Sequence, residues 1–252
     1  MTIPRPTTAT APSRRRRTAR QYIPPQHGAW AMLLVPWAAG VLTAGFRWAH
    51  LPLLGAWLTG YLFTYYALQA IKTRRLSRFR PQLLLYGPIA GGLGVLTVIG
   101  HPQVLAYAPA YACLLMINAY YARMRRERAI ANDLVSVVQS CLMVLVSATV
   151  TGAALTQALP ALIVVFLYFT GTVLYVKTMI RERNNPAYYR ISVIYHVLGF
   201  VGAACLGAMP AAVFAILLAR AAAFPHYRLM PKHVGMMEVG TAALVLIAAT
   251  TA

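Results

Sequence analysis

The chain has 252 residues, of which 60% are hydrophobic and 11% are charged, and it carries a formal net charge of +19. This composition is too apolar for a soluble domain and predicts an all-α protein that crosses a membrane several times. The basic residues are dispersed among short loops. No soluble domain is large enough to present a nucleic-acid-reading element, which argues against nucleic-acid binding.

The first segment, residues 1–21, is rich in Thr, Pro and Arg and almost free of apolar side chains. Such a composition favours a disordered basic tail. The Arg14–Arg17 run precedes an apolar stretch, as it does in an export signal, but further apolar segments follow and no small-residue cleavage site intervenes. We therefore expect a retained cytosolic tail, followed by a single transmembrane helical domain over residues 22–252.

Nine apolar segments, most of them long enough to cross a bilayer, follow the tail. Charged residues, Pro and Gly mark their limits. The predicted spans are Ala29–Phe46, Leu51–Ile71, Gln82–Ile99, Val104–Ala122, Leu134–Gly152, Leu159–Val176, Ile191–Gly207, Ala211–Phe224 and Val234–Ala252.

Lysine and arginine are distributed one-sidedly about these spans. All of them except Arg47 belong to the amino-terminal tail or lie near the loops after the second, fourth, sixth and eighth spans. By the positive-inside rule, this pattern predicts a multi-pass protein of the bacterial cytoplasmic membrane, with a cytosolic amino terminus and an exported carboxyl terminus. An eight-span or ten-span arrangement would break the alternation.

Weak internal symmetry is visible when the chain is compared with itself. One offset pairs Lys72-Thr73 with Lys177-Thr178 and Asp133 with Glu238. The matches lie at span ends and would relate residues 51–155 to residues 156–252 as two parallel four-helix repeats. Chance similarity is the alternative, since identity elsewhere is low.

Basic residues cluster after the second, fourth and sixth predicted spans. Lys72 and Arg75 are three residues apart and Lys177 and Arg181 are four apart, so each pair would share a face of a continuing helix. Convergence of these spans predicts a cytosol-facing cationic cavity for a phosphate, diphosphate or carboxylate. Contact with lipid headgroups is the alternative role. The residues expected to bind the anion are Lys72, Arg75, Tyr121, Arg125, Arg126, Lys177 and Arg181.

Two acidic residues, Asp133 and Glu238, stand apart from the basic clusters. Asp133 begins the fifth span, where a carboxylate stabilises the positive end of a helix dipole. Glu238 lies about one turn inside the ninth span, where it either lines a cavity or pairs with a nearby Arg or His. Glu238 and His27 are candidate catalytic bases, and Asn132, Asp133 and His196 are candidate supporting polar groups. No metal-site spacing is present, so we expect neither a metal nor a cofactor.

Several motifs resemble the YwiC-like family of bacterial membrane proteins. The first of them is the distinctive one, and the resemblance implies a membrane protein without implying a reaction. The motifs are Pro25-Gln26-His27-Gly28-Ala29-Trp30, Lys177-Thr178-x-Ile180-Arg181, Tyr195-His196 and Pro231-Lys232-x-Val234-Gly235-x-x-Glu238.

The chain also resembles, more distantly, the UbiA-type intramembrane prenyltransferases, in its nine spans and in its polar loops. Tyr121-Ala122-Arg123-Met124-Arg125-Arg126 fits the Tyr-x-x-x-Lys-Arg-like motif of that family. The resemblance implies a diphosphate site beside magnesium held by two aspartate-rich motifs. Lys72-Thr73-Arg74-Arg75 and Lys177-Thr178-Met179-Ile180-Arg181 replace those motifs here. Magnesium needs oxygen ligands, so we do not expect magnesium-dependent prenyl transfer.

The function favoured by the sequence is binding of an anionic lipid or another phosphate-bearing amphiphile by a divergent or non-catalytic UbiA-like protein. A small-solute transporter or channel is one alternative, favoured by the Gly- and Pro-interrupted stretch at residues 87–94. A membrane assembly partner whose basic loops dock another protein is a second alternative. The sequence does not indicate which protein that partner would be.

Overall fold

The computed structural model describes residues 21–24, 27–227 and 230–252, without the side chains of His27, Pro231 and Lys232. The described residues fold into helices without a β-strand, which confirms the predicted all-α class. The helices are α1 (His27–Ala44), α2 (His50–Thr73), α3 (Leu76–Gly100), α4 (Ala108–Arg123), α5 (Ile130–Thr151), α6 (Leu155–Ile180), α7 (Pro186–Ala204), α8 (Ala208–Ala223) and α9 (Pro231–Thr250).

Six segments of the described chain are long and apolar enough to cross a membrane, as a multi-pass protein requires. Among the remaining helices, α1 is apolar but shorter. Tyr and other polar residues lower the mean hydropathy of α2 and α7. The six segments are Leu76–Gly100, Pro102–Arg123, Ile130–Thr151, Leu155–Ile180, Ala208–His226 and His233–Thr250.

Each helix coincides with one predicted span, but several continue beyond the apolar run. Helix α3 begins at Leu76, so Arg78 and Arg80 are helical although they precede the predicted start of the span. Helix α6 continues to Ile180 and carries Lys177 in its last turn. Hydropathy marks the apolar run, whereas backbone hydrogen bonding is indifferent to charge and continues until a cap stops it.

Contacts between helix termini define two ends of the bundle. Lys72 pairs with Glu127, Lys177 with Asp133, and Arg220 with Glu238, so the carboxyl ends of α2, α6 and α8 lie beside the amino ends of α5 and α9. We call this the basic end. At the opposite end, His50 Nε2 lies 2.9 Å from the Ser147 carbonyl oxygen, and the Tyr107 hydroxyl lies 2.8 Å from Thr149 Oγ1.

The main core joins the first helix to the second half of the chain. Helix α1 packs against α5, α6 and α9, and small side chains such as Ala39 and Ala248 are fully buried between them. A Cβ atom on Gly40 would overlap the Val144 carbonyl oxygen. Small residues allow this close approach, which stabilises helix pairs inside a bilayer.

Helices α2, α3 and α4 form a looser layer on the outside of this core. Helices α2 and α3 pack as a hairpin, and α2 and α4 contact α5 through a small cluster around Leu53 and Met143. Few residues of α3 and α4 are buried within the bundle. The predicted division into repeats at residues 51–155 and 156–252 stays a prediction, and the predicted tail at residues 1–20 lies outside the described residues.

Candidate functional site

At the basic end, α2 and α4 are each followed by an arginine whose backbone is in the left-handed conformation. Helix α2 ends at Thr73, and Arg74 follows with φ 54°. Arg125, just after α4, has φ 55°, and its amide donates to the Ala122 carbonyl oxygen at 3.0 Å. Few residues other than Gly adopt this region. The left-handed conformation ends each helix sharply and turns the following residues back toward the bundle.

The prediction that Lys72 and Arg75 share one helical face is wrong, because α2 ends between them. Arg75 instead occupies the position just before α3, where its side chain makes no capping hydrogen bond. Both side chains nevertheless line one open pocket of about 290 Å³, together with Thr73, Arg78 and Arg125. The tight turn between α2 and α3 therefore brings the Lys72 and Arg75 side chains together, although they do not share a helical face.

One of the four cations in this pocket is neutralised. Lys72 Nζ lies 2.7 Å from Glu127 Oε1. Burial alone would raise the pKa of the Glu127 carboxyl, but hydrogen bonds and the charge of Lys72 outweigh it, and the pKa is lowered. Among the residues that the structure describes, no carboxylate pairs with Arg75, Arg78 or Arg125. The pocket therefore presents three uncompensated guanidinium groups.

A second pocket, of about 310 Å³, adjoins the first and shares Thr73 and Arg78 with it. Aromatic side chains form much of its wall: Tyr65, Tyr66 and Phe79. The segment at residues 21–24 borders it, and the Tyr66 hydroxyl donates to the Gln21 carbonyl oxygen at 2.8 Å. A cationic pocket and an aromatic pocket thus lie side by side at one end of the bundle.

The remaining predicted anion-binding residues lie outside this pocket. Lys177 is buried, with 8% of its surface exposed, and its Nζ lies 2.8 Å from Asp133 Oδ2 and donates to the Arg128 carbonyl oxygen at 2.7 Å. Lys177 therefore ties α6 to the start of α5. Arg126 and Arg181 are exposed, and Tyr121 is half-buried beside Tyr120.

Two of the predicted supporting residues, Asn132 and His196, form hydrogen bonds within the fold. Asn132 donates through Nδ2 to the Glu127 carbonyl oxygen at 2.9 Å, which closes the loop before α5. His196 is buried, its Nδ1 lies 2.7 Å from the Ser192 carbonyl oxygen, and its ring packs against Gly171 of α6. The His27 side chain lies outside the described part of the chain.

A buried ion pair joins α8 to α9. The one-sided charge pattern counts Arg220 among the basic residues near the loop after the eighth span, but it lies in the last turn of α8 with 4% of its surface exposed. Its Nη1 donates to Glu238 Oε1, and Glu238 Oε2 also accepts from Thr172 Oγ1 at 3.0 Å and the Tyr168 hydroxyl at 3.3 Å. Of the two roles left open for Glu238, partnership with an Arg is therefore the one observed.

Two residues of the cationic pocket and the buried ion pair, Arg78 and Arg220, were not predicted as site residues from the sequence. Arg78 is three residues beyond Arg75, the spacing of neighbours on a helix surface. This spacing was informative only if α3 begins before its apolar run, as the structure shows that it does. Arg220 interrupts an apolar segment, and an ionisable residue inside a span is itself a sign of a functional or paired group.

Comparison with known proteins places the chain among bacterial relatives. A family model described as YwiC-like protein matches residues 23–148. A protein of Haemophilus influenzae, described as uncharacterized, is 33% identical over 224 residues, covering 88% of this chain and 94% of the relative. The uncharacterized protein YwiC of Bacillus subtilis is 33% identical over 230 residues, covering 89% of this chain and 95% of the relative. The chain belongs to the YwiC-like family.

Family membership confirms the resemblance drawn from the sequence motifs. The matched region contains α1 to α4, most of α5 and every residue that lines the cationic pocket, whereas the Arg220–Glu238 pair lies beyond it. No solved structure matches the chain significantly, and the likeness to UbiA-type prenyltransferases stays a prediction.

Proposed function

We propose that this multi-pass membrane protein binds the phosphate group of an anionic lipid, or of another phosphate-bearing amphiphile, in the cationic pocket between α2, α3 and α4. The observation that carries the proposal is the set of three arginines, Arg75, Arg78 and Arg125, which line one pocket with no carboxylate partner among the described residues.

Arginine is well suited to this role because its planar fork can donate two parallel hydrogen bonds to phosphate oxygens. Lys72 remains beside the pocket while bound to Glu127. Thr73 adds a hydroxyl group to the wall, although its Oγ1 donates to the Gln69 carbonyl oxygen at 2.7 Å. The three arginines could bind the oxygens of one phosphate group without displacing Glu127.

An amphiphile fits the position of the pocket better than a free anion does. The pocket lies at the helix ends, the level of lipid headgroups, while α3 and α4 below it expose apolar side chains such as Leu84, Leu85 and Met116. The aromatic pocket adjoins it, and Tyr and Trp side chains favour the interface between headgroups and acyl chains. An acyl or isoprenoid chain would therefore follow α3 or α4 into the bilayer.

We further propose that the basic end faces the cytosol of the bacterium, with the carboxyl terminus exported. Among the described residues, every Lys and Arg except Arg47 belongs to this end, as the positive-inside rule requires. Cysteine labelling in intact cells tests the orientation after the native residues Cys113, Cys141 and Cys205 are replaced. We expect labelling from outside at position 155 and not at position 181, and the opposite pattern would reverse the proposed topology.

The lipid-binding proposal is tested with the full-length protein in nanodiscs that contain phosphatidylglycerol or phosphatidylcholine. Native mass spectrometry should show retained phosphatidylglycerol on the wild type. The triple variant R75Q/R78Q/R125Q should bind it roughly 100-fold more weakly, since each cation near the membrane surface contributes about 1 kcal/mol.

A matched control removes three exposed arginines of the same end that do not line the pocket, in the variant R126Q/R181Q/R190Q. We expect this control to retain the lipid nearly as well as the wild type does. Equal losses in the two triple variants would show that binding depends on overall charge and would overturn the assignment of the pocket. Loss confined to the control would place the lipid at the predicted Arg126 and Arg181 instead.

A further inference from the structure

We propose that Arg220 forms a second, intramembrane binding site for a small oxyanion, a carboxylate or phosphate group, between α6, α8 and α9. This site is separate from the headgroup pocket and does not depend on the lipid-binding proposal. Its central feature is a buried guanidinium to which the described residues give hydrogen-bond partners on one nitrogen only.

The hydrogen bonds of Arg220 are unevenly distributed. Nη1 donates to Glu238 Oε1 and to Thr241 Oγ1. Nε and Nη2 are buried and have no partner within the described part of the chain. A buried donor without an acceptor is strongly unfavourable, and more so when it is charged. The arrangement therefore calls for an acceptor that the described protein atoms do not provide.

The unpartnered edge has the geometry of an oxyanion site. Nε–H and one Nη2–H of a guanidinium point in parallel and match the two oxygens of a carboxylate or phosphate. Glu238 does not compete for this edge, because Oε1 is engaged by Nη1 and Oε2 by Thr172 and Tyr168. The ion pair thus positions the guanidinium and leaves its bidentate edge buried without an acceptor among the described residues.

A second unpartnered group lies on the same stack of side chains. The Arg220 guanidinium carbon lies 4.2 Å from the centre of the Tyr175 ring, and the buried Tyr175 hydroxyl also has no hydrogen-bond partner within the described residues. A tyrosine hydroxyl usually finds a partner when it is buried. A bound oxyanion would accept from both residues.

Glu238 already neutralises Arg220, so an anion would be drawn to the site by the positive potential of the nearby basic end. Arg220 is in the last turn of α8, close to the basic end, and the positive potential of the basic loops raises the local concentration of anions. Water is the alternative acceptor, since buried waters commonly satisfy such groups. Water and an oxyanion differ in a measurable way, because only the oxyanion shows saturable binding.

The experiment measures binding of 14C-acetate and 32P-orthophosphate to the purified full-length protein by scintillation proximity. It uses the R75Q/R78Q/R125Q background, so that phosphate binding to the headgroup pocket does not contribute. We expect saturable binding of at least one anion, at about one site per chain. R220K should weaken it roughly tenfold or more, because lysine lacks the fork.

Tyr175→Phe provides a variant that should keep its fold, because the hydroxyl that it removes has no partner among the described residues. It should weaken binding roughly fivefold, as expected for the loss of one hydrogen bond. The control Tyr227→Phe alters an exposed side chain and should bind as the background does. Absence of saturable binding of both anions, or binding unchanged in R220K and in Tyr175→Phe, would show that the site holds water only and would overturn the proposal.

Discussion

The buried ion pair between Arg220 and Glu238 gives the sharpest stability prediction. Glu238→Leu removes the carboxylate and leaves the guanidinium bonded only to Thr241 among the described residues. An uncompensated buried charge costs about 3–5 kcal/mol of folding free energy. The value belongs in the upper part of this range, because Thr172 also loses its acceptor.

The double variant R220M/E238L removes both charges and keeps apolar side chains of similar length. Replacing both members of a buried pair is often neutral, or stabilising by about 1–4 kcal/mol, so we expect the double variant to be at least about 3 kcal/mol more stable than Glu238→Leu alone. The two substitutions should therefore be strongly non-additive.

Steric trapping in bicelles measures these free energies of unfolding under native conditions. Val239→Leu is the matched control, since the neighbouring Val239 side chain is 68% exposed and should tolerate the change. If Glu238→Leu cost less than about 1 kcal/mol, or if the double variant were less stable than the single one, the pair would not be desolvated as described.

Three further predictions concern other parts of the bundle. Gly40→Ala should destabilise the protein by about 1–3 kcal/mol, because its Cβ would overlap the Val144 carbonyl oxygen; Gly60→Ala, where the space is open, should not, and equal effects would contradict the close approach of α1 and α5. Since the pKa of Glu127 is lowered in the folded protein from its ordinary value of 4.5, its stabilising contribution should be full above that ordinary value and be lost as the pH falls through the lowered pKa of the folded protein. For this half-exposed pair we expect at most about 1 kcal/mol, and an unchanged acid dependence in Glu127→Gln would refute it. Asn185→Ala should cost about 1 kcal/mol, because its side chain accepts from the amides of the first turn of α7; helix-end hydrogen exchange should increase there, whereas Asn184→Ala should leave it unchanged.

The sequence predicted the helices well because apolar length and one-sided basic loops are strong local signals. Their ends were less predictable, since α3 and α6 continue through charged residues that hydropathy excludes. Turn geometry was not visible either. Arg74, whose backbone is in the left-handed conformation, ends α2 just before Arg75. An arginine side chain does not favour that conformation, so the sequence did not predict it.

The candidate site was predictable in part, for a similar reason. The clusters of basic residues predicted Lys72, Arg75 and Arg125 as binding residues, and these three line one pocket. A cluster of charges in sequence does not reveal which cations are already neutralised, however. The carboxylate beside Lys177 is Asp133, on another helix, and a pairing between distant segments depends on tertiary packing that hydropathy and spacing do not encode.

The position of α1 in the core has a consequence for how the protein is made. Helix α1 is synthesised before its main packing partners, α5, α6 and α9. Its small-residue face therefore stays unpacked in the bilayer until α5 has been inserted, because Gly40 packs against Val144 of α5. A nascent chain arrested before α5 would present the α1 surface around Gly40 to other membrane proteins.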